Sequence, residues 1–447
     1  MKNTFALVNK TPPEILSLVP TYLEEIYKDE TLITLTHVCR SWRAVFTSRP
    51  SLWARLDCTN TDKTRVYIER SKSFPLELCL GPVDDLSYDA YYCEEAFLLA
   101  VPHIPRLKTL SIAGTPDQIL PILVEHFSCP VPILNYLDIT FECDQAQTLP
   151  EELFNRDLST LRELCLAGVI TSLPWRGLLN LTTFILCRVP AERILLTQLL
   201  DFFESAPHLR HIHLQDSIPN SSDAPAERVV SLPHLKYLSS DAQLPHSILL
   251  NHLSIPVGAS LRLRFASSGE EFPVPSHLPK SLENLNNLSH ITAANLCFGS
   301  GRLFMRLHGP SGELYIYGNW PGRKGQSPGA ARLMRFLDQF DTPRTRRLAV
   351  AMFCSQPRDL DKIVTWPGYK TLHRMNGLQT LILAQCENLP FIRTLNPSKN
   401  PSESVICPEL EEIVLYLKSP DQFHIDELLK MAGERASKGQ NSRRSRS

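Results

Sequence analysis

A six-position phrase, L-x-x-L-x-L with Ile or Phe sometimes replacing Leu, recurs along most of the chain and limits its fold more than any other feature. It stands at Leu107/Leu110/Ile112, Leu134/Leu137/Ile139, Leu161/Leu164/Leu166, Leu181/Phe184/Leu186 and Leu209/Ile212/Leu214. A weaker copy is Leu235/Leu238, and the phrase returns at Leu378/Leu381/Leu383 and Leu410/Ile413/Leu415. From Leu107 to Leu235 the first leucines are 27, 27, 20, 28 and 26 residues apart. The last two apolar positions of each copy alternate as in a strand and point to one face. Pro105, Pro132, Pro207, Pro233 and Pro408 each lie two residues before a first Leu, where proline ends a preceding helix. Stacked copies predict a parallel sheet whose inner face is covered by the return segments. In the clearest return, 191–206, apolar residues at 194, 195, 196, 199, 200, 202 and 203 form a broad helical face.

These intervals fall in the 20–29-residue period of leucine-rich repeats, in which no single unit buries its own face. The expected fold class is α/β: a short N-terminal helical module, then an irregular leucine-rich-repeat solenoid with a parallel sheet and helices on the convex side. By texture, residues 8–58 are the module, 59–105 a connecting segment and 106–432 the repeats. Residues 433–447 (GERASKGQNSRRSRS) read as a basic disordered tail with nothing to bury. Between 256 and 347 the phrase fades, but 302–307 and 313–317 flank His308-Gly309-Pro310-Ser311-Gly312 and read as a hairpin.

In each strand the residues between the leucines face outward, onto the concave side. Tyr136, Asp138, Glu163, His211, His213, Tyr237 and Tyr416 are the expected target-binding positions there. Aromatic and acidic members with few Lys or Arg suit a protein or peptide, not a polyphosphate. Across 447 residues, 46 Lys+Arg stand against 47 Asp+Glu, which excludes a surface that is wholly a trap for nucleic acid or anionic membrane. No stretch approaches 18 uninterrupted apolar residues, and the apolar run Phe5–Val8 is too short for a secretory segment. The 12 cysteines include no C-x-x-C pair and sit among apolar residues, as reduced thiols of a cytoplasmic or nuclear protein do.

No constellation for chemistry is intact, and neither a metal nor a cofactor is expected. Gly325-Gln326-Ser327-Pro328-Gly329 matches G-x-S-x-G, but Pro328 has no N–H for an oxyanion and no strand feeds the serine. His208, His211 and His213 have no carboxylate or thiolate among them in 208–213, so they read as surface.

At the N-terminus, Thr11-Pro12-Pro13-Glu14 reads as a capping box with Pro12 as first helical residue. Ile15, Leu16, Val19, Leu23 and Ile26 follow at helical spacing, and a second series runs through Leu32, Leu35, Val38/Cys39, Trp42 and Val45/Phe46. So short a module makes a marginal core, so it either docks on the repeats or keeps an apolar surface for another protein. T-P-P-E-I-L at 11–16, H-V-C-R-S-W-R at 37–43 and P-S-L-W at 50–53 resemble an F-box. With Asp57-Cys58 and Tyr67–Lys72 the chain is similar to the large F-box/leucine-rich group of fungi. The resemblance implies a non-catalytic subunit that docks on a Skp-type adaptor, and through it a cullin–RING ubiquitin ligase, and holds a target protein. It places Pro12, Ile15, Leu16, Leu32, Val38, Cys39 and Trp53 at or near the adaptor, with Trp42 holding the helices together. The alternative is a leucine-rich binding scaffold whose helical N-terminus is only a cap; Leu16, Val38 and Trp53 buried against the repeats would favour it. No nucleic acid or membrane partner is expected.

Overall fold

The computed structural model describes chiefly residues 11–16, 28–81, 92–142, 145–170, 178–219, 227–242, 245–266, 281–299, 302–319, 342–353, 368–384, 405–416 and 422–444. The G-x-S-x-G segment at 325–329 lies outside the described residues. The chain divides into two compact units, 1–193 with 205–209, and 194–204 with 210–447.

The first unit opens with α1 (Pro13–Leu16), α2 (Lys28–Val38) and α3 (Arg40–Thr47). α1 starts one residue later than the capping-box reading. Pro13 leads it, and the Pro12 carbonyl accepts from the amides of Ile15 and Leu16, both at 3.0 Å. The second apolar series is split into two helices at Cys39. Its backbone is extended (φ −159°, ψ 173°) and its Sγ accepts from the Trp42 amide at 3.5 Å, capping α3. Arg43 Nε reaches back to the Thr36 carbonyl at 2.9 Å and ties α3 to α2.

A 3₁₀ turn, Pro50–Trp53, feeds straight into the sheet. Its strands are β1 (Arg55–Leu56), β2 (Leu76–Leu80), β3 (Leu107–Gly114), β4 (Tyr136–Phe141), β5 (Glu163–Ala167) and β6 (Thr183–Cys187). They pair in chain order and every pair is parallel. The register stacks the apolar positions of the phrase into rows; one is Leu78, Leu110, Leu137, Leu164 and Phe184, all fully buried. Parallel neighbours need crossovers, and α4 (Thr61–Ser71), α5 (Glu94–Ala100) and α6 (Pro116–His126) lie in them. The segment 59–105, read as a connector, is thus a full part of the sheet: it supplies β2 between β1 and β3. The signal was there in Leu76, Leu78 and Leu80, a period-2 row without the leading Leu of the phrase.

The second unit holds α7 (Leu196–Ser205), which starts five residues inside the segment read as helical. β7 (His211–Gln215), β8 (Tyr237–Ala242) and β9 (Ser260–Ala266) are parallel neighbours. Then come β10 (Ala293–Gly299), β11 (Arg302–Gly309) and β12 (Gly312–Asn319). β11 and β12 form the expected hairpin, and β11 runs antiparallel to both its neighbours, β10 and β12. β12, not β10, is the parallel neighbour of β9, so the excursion is inserted in reverse spatial order. Over β10–β12 this accounts for the fading of the phrase: a meander needs no leading Leu from a return loop. Gly309 at its turn cannot be replaced, because a Cβ would stand 1.9 Å from the His290 carbonyl oxygen. β13 (Arg347–Phe353), β14 (Thr380–Ala384) and β15 (Glu412–Tyr416) resume parallel pairing beyond β10.

α8 (Ser247–Leu250), α9 (Gly368–Arg374) and α10 (Gln422–Arg444) complete the unit. α10 continues past 433, where the sequence reads as disordered, to Arg444. Arg435, within 433–447, has its guanidinium held by the carbonyls of Leu395, Ile406 and Cys407.

His277 is buried in this unit, with its ring 5.2 Å from that of Phe265 and 4.8 Å from that of His246. Burial pushes its pKa down to about 4 from the ordinary 6.5. The unfolded chain therefore takes up this proton first as pH falls. The stability owed to the neutral ring is complete above about pH 6.5 and is lost as pH falls towards 4. Denaturant titrations at pH 7 and 4.5 should show that His277→Phe loses about 2 kcal/mol less than the unsubstituted chain over this interval. Equal losses would refute the assignment.

Candidate functional site

The helical module separates the seven residues expected at its docking surface. Leu16, Leu32 and Trp53 are only 1–3% exposed, so these three hold the module together and offer no side-chain surface. Trp53 is fixed from three sides. Its Nε1 donates to the Phe46 carbonyl at 2.9 Å, the Tyr67 ring meets it edge-on at 5.0 Å, and the Arg70 guanidinium lies 4.2 Å above it. Tyr67 and Arg70 belong to α4, so the tryptophan fastens the module to the first crossover of the sheet. The resemblance that selected Leu16, Leu32 and Trp53 carries over positions at or near the adaptor and does not tell an inward from an outward apolar residue.

Ile15 and Val38, by contrast, are 54% and 51% exposed, Pro12 is exposed and Cys39 is half-buried. Leu18 and Ile33, not singled out from the sequence, are exposed as well. Trp42 is half-buried with its ring edge-on to Phe46 at 5.7 Å, consistent with a role inside the module. Ile15, Leu18, Ile33 and Val38 thus put four large apolar side chains of one small module in water.

On the outer face of the first unit's sheet, the register brings three expected residues together. Tyr136 is opposite Glu163, and Asp138 follows two residues on, between Ser111 and Cys165. Hydroxyls of Ser111, Thr140 and Tyr136 donate to the Asp138 carboxylate at 3.2, 3.3 and 3.5 Å. Burial nevertheless raises the Asp138 pKa from its ordinary value. Burial also raises Tyr136, and pushes the Cys165 thiol up to about 12 with Asp138 adding to the effect. A thiol so held stays protonated at neutral pH and is a poor nucleophile. The cluster can form hydrogen bonds; it is not set up to form a covalent bond through Cys165.

In the second unit His211 pairs with Tyr237 across β7 and β8, with His213 two residues on. Burial lowers the His213 pKa, so its ring is neutral at pH 7. Among the described residues no group of three or more His, Cys, Asp and Glu could hold a metal ion. Tyr416, 61% exposed, is at the end of β15. The residues that sequence reasoning missed are on β9, β11 and β12. Arg262, Arg264, Phe304, Arg306, Tyr315 and Tyr317 all face outward, so this face carries more arginine than the readable repeats suggested. The signal for two of them was present: Leu261-Arg262-Leu263-Arg264-Phe265 alternates strictly.

Residues 10–59 match the family model described as F-box-like. The helical module is an F-box-like domain. F-box domains bind Skp-type adaptors of cullin–RING ligases. No curated protein and no solved structure shows significant similarity to the chain. Among the described residues no helix is long and apolar enough to cross a membrane.

Proposed function

We propose that the chain is the substrate-recognition subunit of a Skp–cullin–F-box type ubiquitin ligase. The observation that carries this reading is the F-box-like match at 10–59 on a module that leaves Ile15, Ile33 and Val38 in water. In this reading Pro12, Ile15, Val38 and Cys39 touch the adaptor, and Leu16, Leu32 and Trp53 shape the surface from beneath. The strand-and-return units are an irregular leucine-rich solenoid of the kind found in the fungal group. Outward strand residues, Tyr136, Asp138 and Glu163 in the first unit and His211, His213, Tyr237 and Tyr416 in the second, are in this reading the positions that hold a target protein in the cytoplasm or nucleus. The subunit does no bond chemistry itself. It raises the effective concentration of a target lysine near the ligase's charged conjugating enzyme.

A second reading, a scaffold without a ligase, is supported by the burial of Leu16 and Trp53, which would suit a simple cap. Val38, exposed at 51%, weighs against it. Calorimetric titration of the full chain with a Skp-type adaptor separates the two. The ligase reading expects micromolar or tighter affinity, and a loss of about 100-fold or more in Ile15→Asp/Val38→Asp, since two buried charges at an interface cost several kcal/mol. The variant's thermal melt should be unchanged, both positions being exposed. A folded chain that does not bind supports the scaffold; a double variant that binds as tightly as the unsubstituted chain overturns the placing of Ile15 and Val38 at the adaptor.

A further inference from the structure

The outward residues of β9, β12 and β11 form a lattice of arginine and aromatic rings that the readings above leave without a role. Arg262, Tyr315 and Arg306 stand in one row across the three strands, and Arg264, Tyr317 and Phe304 in the next. Arg262 lies between two rings, 5.6 Å from the centre of Tyr237 and 5.2 Å from that of Tyr315. Arg306 sits 4.8 Å from the centre of the same Tyr315 ring.

Part of this charge is neutralised within the fold. Arg264 pairs with Asp241 at 2.9 Å. Arg306 pairs with Glu313 at 3.1 Å, and Glu313 also accepts from the Ser260 hydroxyl at 2.8 Å. Arg262 and the exposed Arg302 have no carboxylate partner among the described residues. The outward positions of β8, β9, β11 and β12 thus carry four arginines against two carboxylates. A guanidinium stacked between rings keeps its planar edge of N–H donors for a partner, and the rings fix its direction.

We propose that this face binds an acidic peptide segment in extended form, its carboxylates reaching Arg262 and Arg302 and its apolar side chains resting on Tyr315, Tyr317 and Phe304. The proposal rests on the reading of the outer sheet face as the target-holding surface and names the class of target. Spacing decides for carboxylates spread along a chain. Arg262 is level with Tyr315 and Arg302 with Asn319, four residues apart along β12 and two strands apart across it. At strand spacings that is about 13 Å along and about 10 Å across, beyond the reach of one phosphate group. Two uncompensated arginines among aromatic rings also give a short charge footprint for a nucleic-acid backbone, which meets a protein through many phosphate contacts.

The test is fluorescence anisotropy with the full chain and three labelled 12-residue peptides: alternating Glu and Leu, alternating Lys and Leu, and alternating Ser and Leu with one phosphoserine; a 12-nucleotide single strand is the fourth probe. The Glu peptide should bind, weaken as salt rises, and bind at least 10-fold more weakly to Arg262→Glu/Arg302→Glu. Arg302→Glu alone, at an exposed position, should weaken it by at least 3-fold with an unchanged melt, so the outcome does not depend on the double variant folding. Adaptor titration of the same preparations reads the F-box separately: adaptor binding that survives while the Glu peptide fails overturns this proposal alone. No binding of the Glu peptide, equal binding of the Lys peptide, preference for the phosphopeptide or the oligonucleotide, or indifference to Arg302→Glu would each overturn it.

Discussion

Trp53→Ala will destabilise the first unit by about 3–5 kcal/mol, the largest effect expected from any single substitution in this chain. The side chain is 1% exposed, so its removal leaves a cavity between the helical module and α4. It also leaves the Phe46 carbonyl without the indole N–H and removes the Tyr67 edge contact and the Arg70 stacking. Equilibrium denaturation followed by tryptophan-independent circular dichroism measures the loss. Trp53→Phe keeps the ring contacts and lacks the N–H donor, so it should recover more than half of the loss. A change below about 1 kcal/mol in the alanine variant would show that Trp53 does not couple module and sheet.

Arg435→Ala will destabilise the second unit by about 3 kcal/mol, more than its place in a basic C-terminal sequence suggests. Nη1 donates to the Ile406 carbonyl at 2.7 Å and to the Leu395 carbonyl at 3.3 Å, while Nη2 donates to the Cys407 carbonyl at 2.6 Å. Burial lowers the Arg435 pKa, yet a guanidinium remains charged at any pH at which the chain folds. Two of the three carbonyls belong to the bend at Ile406–Cys407, where Cys407 has a left-handed backbone (φ 49°) and a thiol that donates to the Leu372 carbonyl at 3.2 Å. Without the fork those carbonyls lose a charged donor. Arg435→Lys should recover less than half, because an ammonium cannot span three acceptors set for a planar fork. Denaturant titration and amide exchange at 405–416 measure both variants; full recovery by lysine would mean that charge alone matters.

The sheet was legible in the sequence wherever a strand is entered from a loop with a leading Leu. Leu110/Ile112, Leu137/Ile139 and Leu164/Leu166 fall in β3, β4 and β5 in matching register. The phrase failed at β2, β9 and β13, entered without that Leu, and at β10–β12, where a meander replaces crossover connections. Alternation alone, as in 261–265, would have found β9 and its two arginines. Which outer residues adjoin was partly legible, since Tyr136, Asp138 and Glu163 follow from equal spacing of two phrases. Inward and outward apolar residues in the F-box-like module were not. Helical spacing ranks Leu16 with Ile15 and cannot show that α2 ends at Val38, where Cys39 turns extended. Arg435 was not legible either, because its acceptors are 28–40 residues away in the chain.

The central claim is that the exposed face of the F-box-like module is where the adaptor sits. Hydrogen exchange of the full chain with and without a Skp-type adaptor tests it most directly. Protection concentrated in 11–19 and 28–49, with the sheet strands unchanged, is the result this account predicts. Protection on sheet strands such as 237–242 or 260–266, with 11–49 unaffected, would contradict it.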